Sequence, residues 1–183
     1  MALSATIYKT HLSISDLRRH HYQDYSLTLA LHPSETEQRM MIRLLCFCLY
    51  ASEQLEFSRG LSNDDEPDLW QKSLTGDTEL WIELGQPDEK RVRKACGRAS
   101  QVVIAGFQQR PADIWWQQHE HALTRFNNLS VIQLQPADEA ILAAMVQRNM
   151  KLQVTLDEGQ MWLTDEQHNL EVSWQVRQTA ATS

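Results

Sequence analysis

The segment Glu66-Pro67-Asp68-Leu69-Trp70 sets an aspartate behind a proline, and the run Glu79-Leu80-Trp81-Ile82-Glu83-Leu84-Gly85 delivers a glutamate just ahead of Gln86-Pro87. The second run alternates apolar and polar residues, as a pleated strand does. Leu80, Ile82 and Leu84 therefore share one face, while Trp81, Glu83 and Gly85 share the other. Two acids presented by neighbouring strands predict a divalent-metal site. A hard ion such as Mg²⁺ takes oxygen ligands, keeps several waters, and needs only one or two protein carboxylates beside a substrate phosphate. On that reading Asp68 and Glu83 hold Mg²⁺, or Mn²⁺ in its place, and the backbone carbonyl of Leu84 is a further ligand. The ion would polarise a phosphoryl oxygen and lower the pKa of a bound water, leaving the protein mainly to position groups. The competing reading is a pair of ordinary strand-end carboxylates, solvated or paired with arginine.

Positioning these acids requires a sheet, and the chain supplies one. Thr6–Ser13 and Tyr25–Leu31 read as paired strands, and Pro33-Ser34-Glu35-Thr36-Glu37 opens a helix over Met40–Leu55. The helical recurrence of Met41, Leu44, Leu45, Cys48 and Leu49 implies a buried face. The polar turn-like run Ser62-Asn63-Asp64-Asp65-Glu66 leads into a strand through Trp70, and Gly76-Asp77 marks the next turn. Pro87-Asp88-Glu89 starts a basic helix to about Ser100, followed by the short apolar strand Gln101–Phe107, a helix bearing Trp115-Trp116, the strand Leu129–Leu134, and a helix from Pro136 to about Arg148. Strands alternating with helices indicate an α/β sheet. The tail is different: Lys151–Leu156, Gln160–Thr164 and Leu170–Arg177 read as a β-meander broken by polar turns.

With 183 residues, 42% hydrophobic and 22% charged, the chain is expected to form one globular domain spanning residues 1–183. No apolar run approaches a membrane span, and the opening Met-Ala-Leu-Ser-Ala-Thr lacks the features of a signal peptide, so a cytoplasmic protein with no membrane partner is expected. The expected state is a monomer. Cys46 and Cys48 sit inside the apolar helix and read as buried thiols. A formal net charge of -7 argues against strong non-specific binding to nucleic acid, so any such partner needs a local basic patch. No Gly-rich phosphate loop, Cys-x-x-Cys pair or Gly-x-Ser-x-Gly elbow occurs, which disfavours nucleotide hydrolysis, a zinc site and serine hydrolase chemistry. Trp115 and Trp116 read as core; His119 and His121, two apart, make a poor metal pair on a helix. Glu53 and Glu56, near the end of the central helix, are further acids that could approach the pair.

Glu66–Trp70, Trp-Ile-Glu-Leu-Gly-Gln-Pro-Asp-Glu-Lys-Arg at Trp81–Arg91, and Arg-Lys-Ala-Cys-Gly-Arg-Ala at Arg93–Ala99 together resemble the YaeQ family. The likeness extends to the His32-Pro33-Ser34-Glu35-Thr36 helix entry, the Trp115-Trp116 pair and the Asn128-Leu129-Ser130-Val131 strand, and covers nearly the whole chain. The resemblance implies a bacterial protein with a PD-(D/E)xK restriction-endonuclease-like core: a mixed central sheet flanked by helices, built as helix-strand-strand-strand-helix-strand, with an added N-terminal hairpin and C-terminal β-meander. It also implies a Mg²⁺-dependent nuclease or phosphodiesterase site on nucleic acid, in which Asp68 and Glu83 are the acids. The motif lysine would fall at Gly85, so its third member is missing here.

A long side chain from the next helix could fill that slot. Lys90 and Lys94 lie four apart on one helical face, flanked by Arg91, Arg93 and Arg98, while Val92, Ala95, Cys96 and Ala99 form the apolar stripe. The helical wheel sets Lys94 roughly opposite the stripe, toward water. Gln86, whose amide could orient water or phosphate, ranks beside it. The basic cluster reads equally as a solvated face or as a phosphate-contacting patch. The alternative function is a catalytically inactive nuclease-fold protein that binds nucleic acid or a transcription-related protein through the same cleft.

Overall fold

A computed structural model describes residues 4–59 and 65–181; most of the polar turn read at Ser62–Glu66 lies outside them. Residues 1–49 and 135–174 form one compact unit, and residues 50–134 and 175–183 form a second. The architecture is mixed α/β.

In the first unit, β1 (Thr6–Asp16) and β2 (His21–Leu31) make an antiparallel hairpin registered from Thr6↔Leu31 to Asp16↔His21. Alternation on β1 buries Tyr8, Thr10, Leu12, Ile14 and Asp16 on one face. β8 (Asn149–Asp157) adds to β1 in parallel, and β9 (Gln160–Thr164) and β10 (Asn169–Gln178) continue antiparallel, giving the order β2-β1-β8-β9-β10. The tail is thus a meander that extends the hairpin's own sheet. Helix α1 (Glu37–Tyr50) starts where the Thr36 hydroxyl accepts the Arg39 N–H at 3.1 Å. All ten residues from Met40 to Leu49 are buried, so this helix has no solvent face along that stretch. Arg43, in its middle, is tolerated because Glu35 receives its guanidinium in two bonds of 2.7 and 3.0 Å. The helix stops at Tyr50, not at Leu55, which belongs to a strand of the other unit. Helix α4 (Glu139–Ala144) is shorter than its pattern suggested. Arg148 is drawn into the strand ladder: its carbonyl accepts from Lys9 N–H at 2.8 Å and its Nε donates to Ile7 O at 3.0 Å.

The second unit has strand order β7-β6-β5-β4-β3. β3 (Leu55–Phe57), β4 (Leu69–Lys72) and β5 (Thr78–Leu84) pair antiparallel, while β5, β6 (Ala99–Gly106) and β7 (Leu129–Pro136) pair in parallel. Parallel neighbours need crossovers, and helices α2 (Glu89–Arg98) and α3 (Gln109–Leu123) provide them. Their inner faces meet Trp81, Val102, Ile104, Leu129 and Val131 in a core that also takes Trp115 and Trp116, 7% and 8% exposed. Trp81, Ile104 and Val131 therefore mark the helix-covered face, which Glu83 shares by the two-residue period of β5.

Candidate functional site

Asp68 stands immediately before β4 and is only 6% exposed. Pro67 before it has no N–H to satisfy, and its carbonyl accepts the Ser58 hydroxyl. The Asp68 N–H donates to Ile82 O at 3.0 Å, and its carboxylate Oδ2 accepts the Leu84 N–H at 2.9 Å. The side chain is thereby fixed against the end of β5. Glu83 is 4% exposed; its Oε1 accepts from Trp81 Nε1 at 3.0 Å and from Arg91 Nε at 2.7 Å, and its Oε2 lies 2.8 Å from the same Arg91 nitrogen. Burial pushes the Glu83 carboxyl above its ordinary value, against the pull of Arg91 and Trp81, and the Asp68 charge pushes it further up.

Arg91 is the residue that sequence reasoning placed only at the flank. Asp88 caps α2 by accepting the Arg91 N–H at 2.8 Å, so Arg91 sits in the first turn. It precedes buried Ala95 by one turn and hence leans along the edge of the apolar row, where its guanidinium reaches Glu83 and donates from Nη2 to Glu66 O at 3.1 Å. The Trp115 indole donates to Pro87 O at 2.7 Å and pins the approach to the helix. The signal was present in the Arg91–Ala95 spacing, together with the match between a planar guanidinium and a carboxylate.

The other candidates lie elsewhere. Lys90 and Gln86 are exposed. Lys94 is exposed too; it donates to Asp65 at 2.9 Å, with Arg98 3.8 Å from the same carboxylate, and the Lys94 bond and charge hold the Asp65 carboxyl below its ordinary value. Glu56 is on β3, accepting from Trp70 Nε1 at 3.1 Å, and Glu53 is exposed ahead of that strand. At Gly85 the backbone has φ +95°, and its N–H donates to Ala105 O at 2.9 Å. A Cβ there would meet nothing within 4 Å, so glycine is required by the left-handed turn and not by crowding.

Asp68 and Glu83 suit a hard cation in kind: two buried, oxygen-only donors at adjacent strand ends. At Glu83 burial outweighs the Arg91 and Trp81 contacts, so further positive charge beside this carboxylate would favour its ionised form. Among the described residues no three His, Cys, Asp or Glu side chains gather as a metal-holding group. An ion here would rest on Asp68, Glu83 and the Leu84 carbonyl, sharing Glu83 with Arg91, and would complete its shell from water or substrate.

Comparison with known proteins gives this geometry a lineage. The model of the "YaeQ protein" family matches residues 1–174. The chain belongs to the YaeQ family. Proteins named "Uncharacterized protein YaeQ" from Salmonella typhi and from Escherichia coli K12 are each 48% identical over 178 residues, which cover 96% of this chain and 98% of theirs. The crystal structure of YaeQ from Xanthomonas axonopodis pv. citri superposes with a TM-score of 0.92 at 46% identity, covering 96% of this chain and 99% of that one. YaeQ from Pseudomonas syringae superposes at 0.88 with 34% identity, over 96% and 97% of the two chains. Among the described residues no helix is long and apolar enough to cross a membrane.

Proposed function

We propose that the second unit carries a variant PD-(D/E)xK site for a nucleic-acid phosphodiester, hydrolysed with the help of Mg²⁺ or Mn²⁺, in which Arg91 takes the lysine's place beside the glutamate. The carrying observation is the buried pair Asp68 and Glu83 at adjacent strand ends, with the Glu83 carboxyl raised by its burial. The order β3, β4, β5, α2, β6 within this unit supports it, since it follows the strand-strand-strand-helix-strand part of that core. When bound, the ion supplies Lewis acidity and an acidified water. Asp68, tied by Leu84 N–H, and Glu83, tied by Trp81 Nε1, present their oxygens already oriented. Arg91 brings a permanent charge to the phosphoryl oxygens on which negative charge develops.

The test is calorimetric titration of Mg²⁺ and Mn²⁺, with and without a short oligonucleotide, into wild type and Asp68→Asn/Glu83→Gln, followed by cleavage assays on DNA and RNA. Metal binding and cleavage in wild type, with cleavage falling at least about a hundredfold in the variant, is expected. Equal residual cleavage by both proteins overturns hydrolysis.

One observation favours a second reading. Arg91 already spans both Glu83 oxygens, as it would in an idle site that only binds nucleic acid or a transcription-related protein. Salt-sensitive oligonucleotide binding that survives loss of both carboxylates but vanishes on neutralising Lys90, Arg91 and Lys94 selects that reading.

A further inference from the structure

The sheet of the first unit has one face covered and one open. Its covered face takes α1, where the Tyr25 and Phe47 rings meet edge to face at 5.1 Å. The open face is made by the exposed alternate residues of β2, β1 and β8. Register sets them in rows across the strands: Thr28, Lys9 and Asn149 form one, and Ser26, His11 and Lys151 the next. Neither row contains an acid. A shallow hollow of about 590 Å³ opens over them and is lined by all six. Small-ligand sites span about 300–1,000 Å³, so the space suits a nucleotide unit and not merely a single ion.

The cations of this hollow are unspent. Elsewhere in a chain of net charge -7, Lys94 is paired with Asp65 and Lys72 lies over the Trp70 ring at 3.9 Å. Among the described residues the Lys9 and Lys151 ammonium groups have neither a carboxylate nor a hydrogen-bond acceptor. They stand on neighbouring strands one pleat apart, with His11 beside Lys151. Ser26 Oγ lies 3.0 Å from His11 Nδ1 and orients the ring. Three groups able to donate to an oxyanion thus share one hollow with hydroxyl and amide side chains.

Along β2 the face changes character. Asp24 follows in the next row, opposite Ser13, and Tyr22 in the row after, opposite Ser15. From His11 to the row of Tyr22 is about 13 Å along the strands, a span of a few nucleotides. Tyr22 is 59% exposed, a large ring left to solvent on a polar face. Asp24 repels a phosphate but can accept from base amino groups, and the ring offers a base a stacking plane. An acidic peptide would be met by the lysines and turned away by Asp24.

We propose that this open face docks single-stranded nucleic acid, with phosphates on Lys9, His11 and Lys151 and a base stacked on Tyr22. It rests on nucleic acid being the ligand, as proposed above, but on neither acid of the second unit. Contacts to phosphates and to a base plane suit single strands, whose bases are free to stack, and carry little sequence preference.

The test is fluorescence anisotropy of a labelled short single-stranded oligonucleotide, as DNA and as RNA, across a salt series. The proteins are wild type, Lys9→Gln/Lys151→Gln, Tyr22→Ala, Arg110→Glu and Asp68→Asn/Glu83→Gln, each checked for folding by circular dichroism. Arg110 is exposed on α3, and its reversal changes the net charge as much as losing both lysines does. The lysine variant is expected to bind at least about tenfold more weakly, with a salt slope lower by about 1.4, or 0.7 per phosphate contact on a single strand. Tyr22→Ala should bind about tenfold more weakly at an unchanged slope. Arg110→Glu and the carboxylate variant should bind as wild type does, and loss confined to the lysine and tyrosine variants supports the face even where no cleavage is found. Wild-type affinity in the folded lysine variant overturns the face alone. An equal loss in Arg110→Glu overturns it in favour of net charge, and full affinity in Tyr22→Ala with tight binding of polyglutamate overturns it in favour of an acidic protein. No oligonucleotide binding by wild type overturns both this face and the nucleic-acid reading.

Discussion

Each unit buries a carboxylate against arginine, and the two clusters are balanced in opposite senses. In the first unit Asp16, fully buried, accepts from Arg18 at 2.8 and 3.0 Å and from Arg19 at 2.8 Å. Burial alone would raise its carboxyl, but the two guanidinium groups outweigh that and hold it at about 2. In the second unit Glu83 has one arginine, an indole N–H and a second carboxylate nearby, and burial wins. The difference lies in charge stoichiometry and in how densely each carboxylate is enclosed, Glu83 being the more deeply packed. A cluster that only holds a hairpin end can be fully neutralised, whereas one that carried the proposed site would keep a use for a cation or a charged ligand.

The largest effect that would sharpen this contrast is removal of a fully matched acid. Glu35→Ala takes from buried Arg43 its carboxylate, leaving the guanidinium the neutral Ala30 carbonyl, and urea denaturation should show a loss of about 3–5 kcal/mol. Next is acid stability. The folded pKa of Asp16 lies below its ordinary 3.8, so its contribution is present above that pH and lost as pH falls toward about 2. Asp16→Asn should therefore flatten the acid limb of a pH-denaturation profile, and an unchanged limb would break the comparison from the first unit's side. Glu83 has the opposite sign: its folded pKa is raised, so the folded state holds the extra proton and stability falls as pH rises through that pKa. Glu83→Gln keeps an acceptor for Arg91 and Trp81 and should leave neutral-pH stability within about 1 kcal/mol of wild type. A loss as large as that for Glu35→Ala would mean that both clusters are structural. The smallest effect is expected at Lys94→Ala, whose partner Asp65 is at the surface; melting and oligonucleotide binding should both match wild type.

β1 and β8 were legible because one-sided burial writes period-two alternation directly into them, whereas β5 is buried on both faces from Trp81 to Leu84. β3 was not legible, because Leu55 falls in phase with the helix before it and a three-residue strand has too few positions to show a period. The end of α4 was misread because a non-local bond, Lys9 N–H to Arg148 O, overrides local propensity. The acids Asp68 and Glu83 could be named from type and position, but not their partner. On a helix carrying Lys90, Arg91, Arg93, Lys94 and Arg98, every cation looks alike until tertiary packing selects one. Gly85 read as an empty slot, whereas its backbone angle gives it a reason of its own.

The bond from Leu84 N–H to the Asp68 carboxylate makes that side chain stand in for a main-chain carbonyl at the end of a ladder. The sheet thus has its own use for Asp68, whatever a cation would ask of it. A protein with no chemistry at this site would still be held to an acceptor at this position. An aspartate at this position is therefore explained by architecture alone, and Glu83, which fills no such backbone vacancy, is the more truthful witness of the two.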